Sequence, residues 1–134
     1  MSKPTAGRYV IYSRVLSSTG QKLSLTYSGN QNEGLTITPL ANTPKQMWVI
    51  KDSSSTTSYI SPYTSSGDEV GWGAGPVVLP PGGYVWTLRG GDWGYTIQDG
   101  AKTAYWSVGN AAVNTKVSIG KDNGTLSRWI FEKA

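Results

Sequence analysis

Cysteine and histidine are both absent from the 134 residues. Without cysteine there is no disulfide, no thiol nucleophile and no common zinc site. Without histidine the Ser-His-Asp and Cys-His arrangements fall away, together with imidazole metal ligation. Charge is scarce as well: Asp, Glu, Lys and Arg together supply 15% of the chain, so the solvent-facing half has to be built from Ser, Thr, Asn and Gly. No apolar run approaches the roughly 20 residues that span a bilayer. The opening MSKPTAGRYVIY shows no basic segment leading into the apolar stretch of a secretory signal. The expectation is a cytoplasmic protein with no membrane insertion and no cofactor.

The charges that are present exclude further classes. The net charge is +4, but the cations, from Lys3 and Arg8 to Arg128 and Lys133, are scattered singly. Without a basic run or stripe they read as solubilising charges, and no nucleic-acid partner is expected. A glycosidase needs two facing carboxylates. Asp68 and Glu69 are neighbours that would point to opposite faces of a strand, while Asp99-Gly100 and Asp122-Asn123-Gly124 read as turns. The chain is expected not to be an enzyme.

What is abundant is β-forming. Runs such as RYVIYSRV, KLSLTY, LTITPL, MWVIKD, SYISPY, PVVLP, YVWTL, GYTIQD, KVSIG and RWIFEK recur, separated by Gly, Asn, Ser and Pro, of which there are 17 Gly and 7 Pro. No long amphipathic helix is predicted, so the fold class is all-β. Three of the runs carry a tryptophan in an x-Trp-apolar setting: Trp48, Trp86 and Trp129, 38 and 43 residues apart. Each closes a unit that opens with an aromatic-containing strand, at RYVIYS, SYISPY and GYTIQD. Three units at about 1–54, 55–92 and 93–134, each with roughly four short strands, predict one β-trefoil domain over 1–134, with pseudo-threefold repeats sharing a core. An immunoglobulin-like sandwich is the competing architecture; it gives no reason for a Trp once per third. In their strands Trp48 and Trp129 are expected to be core residues.

The middle unit departs from its siblings. The stretch GWGAGPVVLPPGGYVW, 71–86, holds two Trp, one Tyr, five Gly and three Pro and no charge. Prolines fix such a segment and glycines allow close backbone approach, so a rigid hairpin with exposed aromatics is predicted, with Pro80-Pro81-Gly82-Gly83 turning the chain back into Tyr84-Val85-Trp86. The bland alternative is that Trp72 and Tyr84 only pack the cap of the barrel. A preformed neutral aromatic surface suits a sugar, whose C–H face stacks on a ring and whose hydroxyls take neutral hydrogen-bond partners.

Gln46-Met47-Trp48 is the Gln-x-Trp signature of ricin B-type lectins; the other units keep the Trp behind Tyr84 and Ser127. Over nearly its full length, through YVIYSRVLS, KLSLTY, GWGAG, VVLPP, YVWTL, IQDG and VSIG, the chain resembles a small group of mushroom lectins within that family, among them an ink-cap lectin that recognises the α1,3-fucosylated chitobiose core of N-glycans. The resemblance implies a single glycan site in the middle unit, at Trp72, Leu79, Tyr84, Val85 and Trp86, with Gly82 and Gly83 standing where that relative has asparagines. It also implies a fungal defence role against nematodes or insects, exercised after ingestion. Alignment of LSLTY, EVGWG and TAYWS sets Thr26, Trp72 and Trp106 at the place where galactose-binding relatives carry an Asp. That disfavours simple galactose and leaves Trp106 as a candidate second site. The alternative function is a β-trefoil protease inhibitor, with DSSSTTS (52–58) as the candidate loop and a solvated connector as that loop's plainer reading.

Overall fold

The structure, a computed structural model, describes residues 3–134. Four strands form the first unit: β1 (Gly7–Ser13), β2 (Leu23–Thr26), β3 (Thr36–Pro39) and β4 (Met47–Asp52). The second holds β5 (Thr57–Pro62), β6 (Glu69–Trp72), β7 (Pro76–Leu79) and β8 (Trp86–Gly91). The third holds β9 (Gly94–Asp99), β10 (Tyr105–Ser107), the two-residue β11 (Thr115–Lys116), β12 (Ser118–Gly120) and β13 (Trp129–Lys133). Helical structure is confined to three short 3-10 turns among the described residues. The strands form where β-branched and aromatic residues alternate between faces. In β4, for instance, Trp48 and Ile50 point inward while Met47 and Val49 are only half-buried.

Antiparallel pairing runs β1–β4–β5–β8–β9–β13 and then back to β1, so six strands close into a barrel. The closing pair sets Tyr9–Ser13 against Trp129–Lys133 in register and joins the two ends of the chain. Closure matters because it leaves these long strands no free edge. Three further hairpin pairs lie off the ring, β2–β3, β6–β7 and β10–β12, and the short β11 pairs with β3. A barrel with three added hairpins is consistent with a β-trefoil, and the closed ring removes the sandwich.

Trp48, Trp86 and Trp129 show how the units are tied. All three are buried, and each indole N–H donates to a backbone carbonyl of its own unit's hairpin: Trp48 to Leu25 O at 3.1 Å, Trp86 to Val70 O at 2.8 Å, Trp129 to Trp106 O at 3.1 Å. An indole buried this way contributes its area while its one polar group stays paired. Gln46 of the Gln-x-Trp signature is buried too. Its Oε1 accepts from Ala41 N–H at 2.8 Å, and its Nε2 donates to Thr38 Oγ1 at 3.0 Å and Pro39 O at 2.9 Å, clamping the loop ahead of Trp48.

Two expectations are corrected at this level. The middle hairpin is β6–β7, turning through Gly73–Gly75, and not a hairpin folded at Pro80–Gly83; β8 pairs with β5 and β9 and never with β7. The Pro-Gly segment is instead an irregular crossing from hairpin to barrel. The indole bonds also set the register between units. Leu25, Val70 and Trp106 are equivalent, so two residues on Trp72 corresponds to Tyr27 and Val108, not to Thr26 and Trp106.

Candidate functional site

The middle hairpin has a bare backbone at its centre. Gly71 lies across from Val77 in the β6–β7 pair, and a Cβ there would come 2.8 Å from Leu79 Cδ1 and 3.1 Å from the Tyr84 ring. Glycine at this place therefore lets Leu79 and Tyr84 lie down on the strand. From the other side Gly82 backs onto the same ring: its Cβ would stand 2.7 Å from Tyr84 Cζ. Gly83, at φ +75°, supplies the left-handed turn that brings Tyr84 over the hairpin. The backbone N–H of Tyr84 then donates to Glu69 Oε1 at 2.9 Å. The ring is thus held by Gly71 and Leu79 below, Gly82 beside it and a charge-assisted bond through its own backbone.

Trp72, at the end of β6, is 48% exposed, and Tyr84 is 36% exposed. Leu79 and Val85 are half-buried between solvent and core, and Gly82 and Gly83 are exposed. The hairpin is braced from the first unit: Asn32 N–H donates to Val78 O at 2.9 Å, Leu35 N–H to Pro76 O at 3.2 Å, and Gly34 bridges Val77. The surface is therefore preformed and largely apolar, with backbone amides accessible around the glycines.

Of the residues expected there, the structure brings Trp72, Leu79, Gly82, Gly83, Tyr84 and Val85 onto one hairpin and its exit. Trp86 is not among them. It is 2% exposed, its N–H is spent on Val70 O, and its ring packs edge-on against Trp106 with centroids 4.9 Å apart. Trp86 supports the site from inside the core and has no face to offer a ligand. Trp106 is fully buried as well, which removes it as a second site. Tyr27 and Val108, the true counterparts of Trp72, are also buried. The threefold pattern therefore leaves only Trp72 exposed at this position.

Two residues at the site escape a reading of the sequence. Glu69 was visible only as one of a pair of adjacent carboxylates; its role depends on a loop 15 residues later returning to it. Gly71 is one glycine among many, and only the register shows that it sits beneath Tyr84.

Three of the other carboxylates, Asp68, Asp99 and Asp122, hold turns. Asp68 accepts from the Ser65 hydroxyl. Asp99 accepts from Thr103 N–H at 2.6 Å and Ala104 N–H at 2.9 Å through Oδ1, and from the Thr103 hydroxyl at 2.7 Å through Oδ2. Burial raises the Asp99 pKa, but these bonds outweigh it and hold the carboxyl below the usual range. Asp122, bonded by the Arg128 guanidinium, is also lowered. Burial pushes the Tyr27 phenol up, aided by the nearby charges of Asp68 and Glu33. Segment 52–58 is a tight turn closed on itself, with Ser53 and Ser54 N–H both donating to Thr57 O, which agrees with a connector. Among the described residues there is no cluster of His, Cys, Asp or Glu suited to a metal and no helix long and apolar enough to cross a membrane.

The family model of the CCL2 lectin-like proteins matches residues 7–129. No curated protein sequence matches the chain. Among solved structures, a mosquitocidal holotoxin is similar with a TM-score of 0.83 at 14% identity, over 98% of this chain and 18% of the toxin, so the chain spans only a small part of that relative. The Rhizoctonia solani agglutinin is similar with a TM-score of 0.74 at 21% identity, over 100% of this chain and 99% of the agglutinin. The Macrolepiota procera ricin B-like lectin, solved in complex with lactose, has a TM-score of 0.76 at 14% identity, with 100% of both chains covered. At these identities the structural likeness bears on the fold.

Proposed function

The chain belongs to the CCL2 lectin-like family and is a lectin-like, carbohydrate-binding protein; we propose that it seats a fucosylated N-glycan core on the middle hairpin, against Trp72, Leu79, Tyr84 and Val85. The fold is read as a β-trefoil of three pseudo-threefold repeats in which one repeat carries the site. The observation that carries the proposal is the exposure of Trp72 and Tyr84 on a surface held rigid by Gly71, Gly82 and Glu69. Large exposed aromatics fixed in place lower the ordering cost of capture and match the C–H faces of pyranose rings.

The choice of sugar follows from the polarity of the surface. No Lys or Arg stands in it, and Glu69 beneath Tyr84 adds a negative charge, so sialylated and sulfated glycans are disfavoured here. Fucose brings a methyl group and an apolar face for Leu79 and the rings. An N-acetyl group brings a second methyl and an amide for the exposed backbone around Gly82 and Gly83. Each such contact is worth about 1–3 kcal/mol, so useful affinity needs several together and a monosaccharide is bound feebly. The function is binding without catalysis. Resemblance to mushroom lectins supports a cytoplasmic fungal defence protein that meets glycans of a nematode or insect after ingestion; feeding trials test that role separately.

The deciding experiment titrates the protein with the α1,3-fucosylated core and with its defucosylated counterpart. Trp72→Ala and Tyr84→Ala are each expected to cost about 2 kcal/mol or more, roughly thirtyfold in Kd, with cooperative melting retained. Mutants that bind normally remove the site. Equal affinity for the two glycans removes fucose and leaves chitobiose as the determinant.

A further inference from the structure

Trp93 is the most exposed large hydrophobic side chain described, at 60%. It occupies the two-residue turn Asp92-Trp93 between β8 and β9, whose flanking glycines, Gly91 and Gly94, pair across the hairpin. An indole on such a turn buries nothing in the barrel. It overhangs a groove of about 530 Å³ that runs along the outside of β9, within the size range of small-ligand sites.

The sheet register builds the groove. Arg89 on β8 is paired with Thr96 on β9, and Gln98, two residues on and on the same face, is paired with Tyr105 on β10. Arg128 closes one side. The two guanidinium groups differ in state. Arg128 forks onto Asp122, Nη1 to Oδ1 at 2.8 Å and Nη2 to Oδ2 at 3.1 Å, and is neutralised. Arg89 is exposed and has neither an ion pair nor a hydrogen bond among the described residues. Its other flank adjoins Lys102 in a smaller cavity of about 230 Å³, which strengthens the positive potential at one point of the groove. Gln98 donates to Lys102 O at 3.3 Å, and no donor among the described residues satisfies its Oε1.

We propose that this groove is a second saccharide site, selective for a carboxylated sugar. The fork of Arg89 is matched to one carboxylate, which it can take bidentately. The Trp93 face and the edge of Tyr105 cover the C–H side of the ring. Thr96 and Gln98 offer neutral partners to its hydroxyls. A nucleic-acid strand is a poorer occupant: phosphate tracking needs a row of cations, and here Asp92 stands on the rim and Asp122 behind Arg128. The site lies on other strands than the middle hairpin and takes the charged sugars that the hairpin disfavours, so either reading stands or falls without the other.

Sialyllactose and a glucuronate-containing hyaluronan tetrasaccharide are the charged probes and lactose the neutral control, titrated into the intact protein while the Trp93 indole N–H is followed by NMR. Saturable shifts with at least one charged probe, at least tenfold tighter than with lactose, are expected, and the stronger of the two identifies the class of acidic sugar. Arg89→Gln and Trp93→Ala, both at exposed positions, should each weaken binding tenfold or more with melting unchanged, while Trp72→Ala leaves it intact. Lactose binding as tightly as the charged probes, absence of any saturable shift, or insensitivity to Arg89→Gln overturns the proposal. A short oligonucleotide that displaces sialyllactose at comparable concentration also overturns it, showing a generic anion surface instead.

Discussion

A Cβ added to Gly82 would meet Tyr84 Cζ at 2.7 Å and the Tyr84 hydroxyl oxygen at 2.8 Å. The tyrosine ring can yield only by rotating off Gly71 and Leu79, which is the arrangement that makes it a platform. Gly82→Ala is therefore expected to weaken glycan binding roughly tenfold while the midpoint of thermal unfolding moves little, because Gly82 is exposed and Tyr84 is not part of the core. A binding isotherm beside a melting curve checks it; unchanged affinity would mean the ring does not need its observed orientation. At this scale the sequence reading expects both rings at the surface; Trp72 is exposed and Trp86 is buried. Trp72 stands between Gly71 and Gly73, and Trp86 between Val85 and Thr87 in the strand run that recurs around Trp48 and Trp129, yet aromatic content alone does not say which ring is buried. What separates them is that Trp86 begins a barrel strand whose inward face meets Val70 and Trp106, a fact of register between segments far apart in the chain.

Among the elements, the turn from β9 to β10 has the most explicit polar support, since Asp99 alone satisfies two backbone N–H groups and a hydroxyl. Its folded pKa lies below the ordinary carboxylate value of about 3.9, and the same holds for Asp122 beside Arg128. A group depressed on folding adds stability in full above its unfolded pKa and loses it as pH falls through the folded one. Thermal stability is accordingly expected to be level from neutral pH to about pH 5 and to fall below about pH 4. Asp99→Asn should lower the midpoint at neutral pH and flatten that acid decline; melting curves across the range decide, and an acid limb of undiminished slope assigns the loss to other carboxylates. Elements were largely legible beforehand because β-branched and aromatic runs were bounded by Gly, Asn and Pro. The exceptions are β6 and β10. EVGW is interrupted by glycine and YWS is three residues long, so neither has the alternation that marks a strand, and both form because a partner strand lies alongside. The apparent hairpin at Pro80–Gly83 fails for the complementary reason: prolines and glycines mark a change of direction, but they do not say which strand pairs with which.

For the whole molecule the central relation is a threefold structure in which one third alone exposes an aromatic ring at the equivalent hairpin position. Trp48, Trp86 and Trp129 make equivalent indole bonds to equivalent carbonyls, and their recurrence made the three-unit architecture visible in the sequence. The position two residues beyond each bonded carbonyl is Tyr27, Trp72 or Val108, and only Trp72 reaches solvent. Equivalent truncations should therefore have equivalent structural costs and unequal functional ones. Trp86→Ala and Trp129→Ala each empty a fully packed position, and each is expected to destabilise by about 3–5 kcal/mol. Trp129 lies in β13, which closes the barrel against β1 and reaches β9, and it touches the middle hairpin only through the core. Below its lowered melting point Trp129→Ala should bind the fucosylated glycan with wild-type affinity. Trp86→Ala removes the donor to Val70 O, one residue from both Glu69 and Gly71, and leaves a void under the strand that carries Trp72. Its affinity is expected to drop several-fold more than its stability loss alone explains, when binding is measured at a temperature where both variants are folded. Equal affinities in the two variants would show that the hairpin keeps its shape without the indole beneath it. Loss of affinity in both would show that the barrel, rather than the middle unit, sets the geometry of the site.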